Sequence, residues 1–256
     1  MRALKPYRSA LFWLAALALW EGAYRLGLLN PIILGSPSLM VKAALSDGST
    51  FLEAFQVTAL EIAAAIALAW GGGVMFGLIA GALPLLGQVA TPLISAMIAV
   101  PFVVLYPILV AWLGLGFQSK IVFGVISGIF PIALSTILGV RLIERGWRGM
   151  ALAMGATPSQ ILFRVFVPLA LPSIVAGLRL GTSLIVIGVV LAEMLASTGG
   201  LGFWISYHRS LFNTGHVYLA ILMTLVVATG ANALLSIIEL RYGRWRIREQ
   251  GRHDVI

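Results

Sequence analysis

Cysteine is absent from the 256 residues, and charged side chains are scarce, at 10% of the chain. Without cysteine there is no disulfide framework, no thiolate ligand for zinc and no cysteine nucleophile. Soluble globular proteins carry about 25% charged and about 45–50% apolar residues. Here 60% of the residues are hydrophobic and the mean hydropathy is +1.02. This composition excludes a soluble enzyme and a disordered protein, and it indicates a chain that folds in lipid.

Motifs that carry chemistry are missing as well. The sequence has no GxxxxGK[ST] phosphate loop, so the chain does not bind ATP by that route. No Ser/His/Asp arrangement or pair of carboxylates stands out, and we predict no catalytic residue. Its histidines are His208, His216 and His253. We place the first two on an outer loop and the third in the C-terminal tail, and we predict no metal site.

Six segments are apolar over about 20 residues, the length that a helix needs to cross a bilayer. We therefore predict an all-α integral membrane protein with six transmembrane helices in one domain over 1–256. The first segment has no small-x-small cleavage site after it, so we interpret it as a span and not as a signal peptide. The six segments are about 8–29, 57–83, 90–113, 120–142, 172–196 and 217–240.

Lysine and arginine predict the orientation, because cytoplasmic loops carry an excess of them. With the N-terminus in the cytoplasm, four of the 17 fall outside and the rest inside. We therefore expect both termini in the cytoplasm. The net charge of +8 then anchors the topology and needs no nucleic-acid partner. The outer residues are Arg25, Lys42, Lys120 and Arg209, and the inner ones are Arg2, Lys5, Arg8, Arg141, Arg145, Arg148, Arg164, Arg179, Arg241, Arg244, Arg246, Arg248 and Arg252.

Proline interrupts two of the predicted spans. Pro101 and Pro107 fall in the third span and Pro131 in the fourth. Proline removes a helical hydrogen bond and bends the helix, and broken helices often line transport pathways. A packing kink is the alternative interpretation.

Glycine recurs at helical spacing inside three spans. Such ridges let two backbones approach closely, which predicts a tightly packed bundle. The pattern leaves open whether the partner helix belongs to the same chain or to a second copy. The ridges are Gly73, Gly77 and Gly81; Gly124 and Gly128; and Gly177 and Gly181.

The link between the fourth and fifth spans, about 143–171, is long, partly apolar and predicted to be cytoplasmic. A first short helix over about 147–154 is expected to end at Gly155, since glycine is a natural helix stop. Its small and soft residues are typical of a docking surface that lies in a groove of a partner. An interfacial helix lying on the membrane is the alternative. The residues in question are Met150, Ala151, Ala153 and Met154.

A second short helix is predicted to start directly after this one. Thr157 at the cap, Pro158 at the first helical position and Gln160 at the third form a capping-box pattern. We expect Pro168 and Pro172 to break this helix before the fifth span begins.

This loop resembles the EAA loop of bacterial ABC importer permeases, which runs Glu-Ala-Ala, three residues, Gly, nine residues, then Ile-x-Leu-Pro. Gly155 falls on its glycine and Pro168 on its final proline. Ala151 takes the second alanine, whereas Gly149 stands where the glutamate is expected. An acidic contact to the ATPase is therefore missing at that position, while the docking helix is retained.

The resemblance extends along nearly the whole chain from about Pro31. LGSPSLMVKAAL at 34–45, the proline-rich segment at 101–121 and the segment at 177–205 are similar to the taurine, alkanesulfonate and nitrate permease family. This implies a type I ABC importer permease bundle with a cytoplasmic coupling-helix loop, in the bacterial inner membrane. The residues that it assigns to ATPase coupling are Met150, Ala151, Ala153, Met154, Gly155, Thr157, Pro158 and Pro168.

The resemblance also implies partners. The chain would form a homodimer above two cytosolic ATPase subunits, which use ATP and Mg²⁺, and a periplasmic or lipid-anchored binding protein would deliver the solute. The solute expected is a small anion such as a sulfonate, taurine or nitrate. The alternative is a thiamine precursor or another small heterocycle. An autonomous secondary transporter and a membrane-embedded enzyme are the rival classes.

Charges inside spans are functional candidates by default. Glu193, late in the fifth span, is expected to line the translocation path or brace the outer gate, together with Pro101 and Pro107 in the path. A structural pair or a helix-end position is the alternative for Glu193. We interpret Glu61 as structural. Glu21 and Arg25 lie four residues apart and are predicted to pair on one helix face.

Overall fold

The computed structural model describes the backbone of residues 5–143 and 145–253 and the side chains of 11–143 and 146–237. Over these ranges the chain is helical, without strands. The helices are α1 (Lys5–Arg25), α2 (Pro37–Ala82), α3 (Pro84–Ile98), α4 (Tyr106–Leu113), α5 (Phe117–Arg141), α6 (Arg145–Ala153), α7 (Pro158–Ile161), α8 (Val167–Leu195), α9 (Leu201–Ser210) and α10 (Thr214–His253), with a 3₁₀ turn at Phe102–Leu105 and a π turn at Leu162–Phe166.

Four helical stretches of the described chain are long and apolar enough to cross a membrane, and a bent pair is a fifth candidate. They cover the predicted segments 57–83, 120–142, 172–196 and 217–240, and the bent pair covers 90–113. The stretches are Pro37–Ala82, Phe117–Arg141, Pro158–Leu195, Thr214–Ile237 and the pair Pro84–Ile98 with Phe102–Leu113. Helix α1 covers most of the first predicted segment, 8–29, although its side chains before residue 11 lie outside the described residues.

Several charges that predict the orientation lie outside the described side chains. They are the inner-side lysine and arginine residues at the two ends of the chain, and Arg145. The ring of His253 lies outside the described side chains as well. The residues at the ends are Arg2, Lys5, Arg8, Arg241, Arg244, Arg246, Arg248 and Arg252.

The third predicted span is interrupted, as its prolines indicated. It is broken between Ile98 and Phe102, and its two halves meet at 82°. Pro101 stands at the break and Pro107 in the first turn of α4. Proline cannot donate a backbone hydrogen bond, so the α-helical ladder ends before Pro101 and starts again where Pro107 is tolerated, in a first turn.

Helix α2 extends beyond the second predicted span on the N-terminal side. It begins at Pro37, about 20 residues before residue 57, and it is kinked at Asp47 (φ −125°, ψ 23°). Pro37 at its start has a fixed φ suited to a first helical turn. The predicted break at Pro168 and Pro172 was wrong, because helical backbone continues from Pro158 to Leu195.

The π turn accounts for that continuity. The Val167 N–H donates to the Leu162 carbonyl, five residues earlier. Pro168 follows directly and has no N–H for the carbonyl of Arg164. Widening the backbone by one residue just before this proline lets the helix pass it without a sharp break.

The described chain divides into two compact units, one of residues up to 58 with 193–226, and one of 59–192 with residues from 227 onward. In the second unit the glycine ridge of α2 packs on α5. A Cβ on Gly73, Gly77 or Gly81 would lie 2.8, 2.5 or 2.7 Å from the side chains of Ile132, Thr136 and Val140. The predicted close approach is confirmed, and for this ridge the partner is in the same chain.

The other two ridges also face helices of the same unit. Gly124 lies against Val189 and Ala65, and Gly177 lies against Ser135, so that α5 stands between α2 and α8. Gly128 and Gly181 belong to the same close contact of α5 with α8. Glycine at these positions therefore sets the spacing of three helices.

Candidate functional sites

Helix α6 carries an apolar stripe that the described part of the chain leaves largely exposed. Trp147, Met150, Ala151 and Met154 recur at the spacing of one helix face. Trp147, Met150 and Met154 are 49%, 59% and 82% exposed, and Ala151 is half-buried. Ala153 is exposed on another face. Apolar stripes of this kind occur on helices that dock into a groove of a partner and on helices that lie at a membrane interface.

Gly155 ends α6 as predicted. Its φ is +76°, a conformation that glycine adopts without strain. The Ala156 N–H donates to the Ala151 carbonyl at 3.0 Å, and the Gly155 N–H donates to the Leu152 carbonyl at 2.9 Å. These two bonds form a Schellman motif, which satisfies the last carbonyls of the helix.

The capping box at the next helix is also confirmed. The Gln160 N–H donates to Thr157 Oγ1, and the Thr157 N–H donates to Gln160 Oε1 at 2.8 Å. Pro158 occupies the first helical position. Gly155 is thus followed within two residues by a specified helix start, so the turn between α6 and α7 is defined on both sides.

A cavity of about 250 Å³ lies in the second unit, beside the break in the third span. Two of its lining residues, Phe102 and Phe130, stack on each other, with ring centroids 5.4 Å apart at 11°. Pro101 lines this cavity, whereas Pro107 does not. The lining residues are Ile98, Val100, Pro101, Phe102, Val103, Phe123, Ser127, Phe130, Pro131, Leu184, Ile187, Gly188 and Leu191.

Glu193 lies in the first unit, buried to 1% exposure. Its Oε1 accepts a hydrogen bond from Thr58 Oγ1 at 2.7 Å, and its Oε2 accepts one from the Gly202 N–H at 2.7 Å. The Leu201 N–H donates to Thr58 Oγ1 at 2.8 Å. These contacts fix the start of α9.

An ion pair that the sequence analysis did not find lies inside the second unit. Lys120 Nζ contacts Glu61 Oε1, and both side chains are buried, at 3% and 0% exposure. Lys120, which was counted among the outer-side anchoring charges, is buried and paired and not exposed as an anchor would be. The available signal was that each residue is a charge inside an apolar segment, where charges are usually paired.

The predicted Glu21–Arg25 pair is confirmed, with Arg25 Nε 2.7 Å from Glu21 Oε1. The segment that was predicted to be an outer loop is helical at both of its histidines. His208 belongs to α9 and His216 to the first turn of α10, and their rings stack with centroids 4.4 Å apart. His216 Nε2 lies 2.8 Å from Asp47 Oδ2. In the described residues no group of three or more ligating side chains could hold a metal ion.

Comparison with known proteins completes the description of the site. The profile of a family described as binding-protein-dependent transport system inner membrane component matches residues 73–244. Among curated proteins, the chain is 29% identical to the formylaminopyrimidine transport permease protein ThiX of Halalkalibacterium halodurans, over 97% of this chain and 99% of that protein. It is 26% identical to a putative aliphatic sulfonates transport permease protein, SsuC, of Bacillus subtilis, over 96% of this chain and 93% of that protein.

A third relative is the taurine transport system permease protein TauC of Escherichia coli, 27% identical over 90% of this chain and 86% of that protein. Among solved structures, a chain of the inward-facing MetNI methionine ABC transporter matches with a TM-score of 0.59 and 19% identity. That match covers 74% of this chain and 96% of the other, and it shows a shared fold.

Proposed function

Because this chain belongs to the family of binding-protein-dependent transport system inner membrane components, we propose that it forms the translocation path of an ATP-driven importer for a small solute. It works as a homodimer in the bacterial inner membrane, above two ATPase subunits. A binding protein delivers the solute on the other side. Six transmembrane helices, with α1 as the first, place both termini and the α6–α7 loop in the cytoplasm.

The exposed stripe of α6 carries this proposal. Met150 and Met154 are 59% and 82% exposed, which is costly for a soft apolar helix in water unless a partner covers it. The Schellman motif at Gly155 and the capping box at Thr157 hold α6 at a set angle to α7. Because the turn between them is fixed, a displacement of α6 by a partner is passed on to α7 and is not absorbed by the turn.

Chemical energy enters through the partner in this proposal. The chain has no phosphate loop of its own, so closure of the ATPase subunits would displace α6. The continuous helical stretch Pro158–Leu195 supports the next step, because it connects the loop to the bundle. Rigid shifts of packed helices then exchange inward for outward access.

Two classes of solute are supported by the relatives. The sulfonate and taurine permeases support a small anion, which helix N-termini can hold without a lysine or arginine. The formylaminopyrimidine permease supports a small heterocycle. In either case the binding protein contributes to selectivity, and the permease supplies the path.

The proposal is tested by crosslinking native membranes, purifying the tagged chain and identifying its partners by mass spectrometry. We expect an ABC ATPase subunit and a solute-binding protein. A matched sample carrying Met150→Glu and Met154→Glu keeps the binding protein but loses the ATPase. If neither partner is recovered while a control transporter stays intact, the importer assignment fails.

The rival class, an autonomous secondary transporter, gives a different physiological result. Uptake by the proposed importer stops when ATP is depleted at constant proton gradient. Uptake that survives ATP depletion but stops with an uncoupler of the proton gradient would support the rival and make α6 an interfacial helix.

A further inference from the structure

We propose that the cavity beside the broken third span is a solute site for a flat, uncharged heteroaromatic ring that bears N–H donors. This assignment rests on the import function proposed above, because it treats the cavity as part of the translocation path. It goes further by choosing between the two classes of solute.

Charge is the first argument. None of the residues that line the cavity is Lys, Arg, His, Asp or Glu, and Ser127 is its one polar side chain. A sulfonate or nitrate that left water for this site would meet no opposite charge. Burying an unpaired ion is far more costly than burying a neutral polar group, so the lining disfavours an anion.

Shape is the second argument. Phe102 comes from the 3₁₀ turn and Phe130 from α5, and their rings are nearly parallel. Phe123 adds a third ring to the lining. Phe102 and Phe130 stack on each other, so a solute would meet their edges and remaining surfaces. Aromatic rings favour offset stacking and edge contacts with other rings, so this lining suits a flat π-system better than a compact tetrahedral group.

Hydrogen bonding is the third argument. Ser127 Oγ donates its hydrogen to the Phe123 carbonyl at 2.8 Å, so the hydroxyl faces a solute as an acceptor. Pro131 also lines the cavity and has no N–H for the carbonyl of Ser127, four residues earlier. The polar atoms of this wall are therefore acceptors, which match N–H donors. Sulfonate and nitrate oxygens offer only acceptors.

Gly188 keeps this polar wall open. A Cβ on Gly188 would lie 2.6 Å from Ser127 Oγ, so glycine is the residue that lets α8 approach without displacing the hydroxyl. The volume of about 250 Å³ is below the usual range for drug-sized ligands, roughly 300–1,000 Å³. A one-ring solute fits this size.

The natural absence of cysteine provides a direct test. Ser127→Cys places a single thiol in the cavity, and Val103→Cys places one on its exposed lip. Ser183→Cys is the matched control, since Ser183 also donates to a carbonyl four residues earlier, at 3.2 Å, but does not line the cavity. The rate of alkylation by N-ethylmaleimide is measured in membranes that contain the complete transporter, with cytosine or ethanesulfonate as the added probe.

We expect cytosine to slow alkylation of both cavity thiols and ethanesulfonate to leave them unchanged. With a probe at about ten times its Kd, labelling slows about tenfold. The control thiol reacts at the same rate in every condition. Protection by ethanesulfonate alone, or by neither probe, overturns the proposal. Because labelling does not depend on ATP hydrolysis, such a failure is distinct from the loss of ATPase partners that would overturn the import function.

Discussion

The hydroxyl of Thr58 lies between Glu193 and the start of α9: it donates to Glu193 Oε1 at 2.7 Å and accepts from the Leu201 N–H at 2.8 Å. Thr58→Val keeps the shape but leaves the Leu201 donor without this acceptor. We expect a loss of about 1–3 kcal/mol in stability, measured as thermal unfolding in detergent. Thr58→Ser keeps the hydroxyl and should remain near the parent. Equal stability of the two variants would contradict this role.

Gly200 faces the same carboxylate. Its φ is +98°, and a Cβ there would collide with the Glu193 side chain. Gly200→Ala should therefore cost on the order of 1–3 kcal/mol from backbone strain alone. The neighbouring Gly199 has an open surrounding, with nothing within 4 Å of a Cβ. Gly199→Ala is the control. If the two variants unfold at the same temperature, the backbone conformation of Gly200 does not require glycine.

Gly77 tests the contact of α2 with α5. A Cβ there would lie 2.5 Å from Thr136 Cβ, whereas one on Gly71, in the same helix, meets nothing within 4 Å. Gly77→Ala should destabilise the protein by about 1–3 kcal/mol through overpacking. Gly71→Ala should be neutral or stabilising by up to about 1 kcal/mol, because alanine favours helix. Both variants are compared by thermal unfolding in detergent.

Gly155 tests coupling. Its φ of +76° disfavours β-branched residues, while asparagine tolerates it. A bias of about 1.4 kcal/mol against the native turn lowers the equilibrium constant for its formation about tenfold. We expect Gly155→Val to lower solute uptake while the ATPase still hydrolyses ATP, and Gly155→Asn to restore uptake. Uptake by the valine variant at the parent rate, with equal amounts in the membrane, would refute coupling through this turn.

His208 predicts a dependence of stability on pH. Burial lowers the pKa of its ring, and His216 lowers it further, while Asp47 raises it. The unfolded chain, with a histidine pKa near 6.5, then binds a proton more readily than the folded one. Stability is full above about pH 6.5 and falls as the pH drops towards the lower folded pKa.

Replacing His208 tests this dependence. The ring stacks on Trp204 at 4.9 Å, and among the described residues neither of its nitrogens has a hydrogen-bond partner. His208→Phe should therefore keep the stack and flatten the stability profile between about pH 7 and pH 5. The measurement is unfolding temperature against pH. An unchanged slope in the variant would show that His208 does not cause the pH dependence.

Much of the fold follows from local patterns in the sequence. Apolar length located four long apolar helical stretches and the bent pair. The cap of α7 depended only on Thr157, Pro158 and Gln160. The stop at Gly155 required only a glycine at the end of an apolar helix. These features are encoded by neighbouring residues, so one sequence is enough to find them.

Features that depend on distant residues were not predicted. Glu61 and Lys120 lie 59 positions apart, and Thr58 and Glu193 are separated by 135. Their pairing is decided by how helices pack, which periodicity does not specify. The cavity was missed for the same reason, although Pro101 marked its location. The ring stack of His208 and His216 likewise required a helix, α9, in place of a loop.

The π turn at Leu162–Phe166 affects how residue-by-residue accessibility measurements along the stretch Pro158–Leu195 are interpreted. One additional residue in a helix turns everything before it by about 100° relative to the part that follows. A helical wheel drawn back from α8 therefore assigns the residues of α7 to the wrong face. The solvent accessibility of the side chains along this stretch should repeat every 3.6 residues on both sides of the π turn. The repeat should shift by one residue just before Pro168.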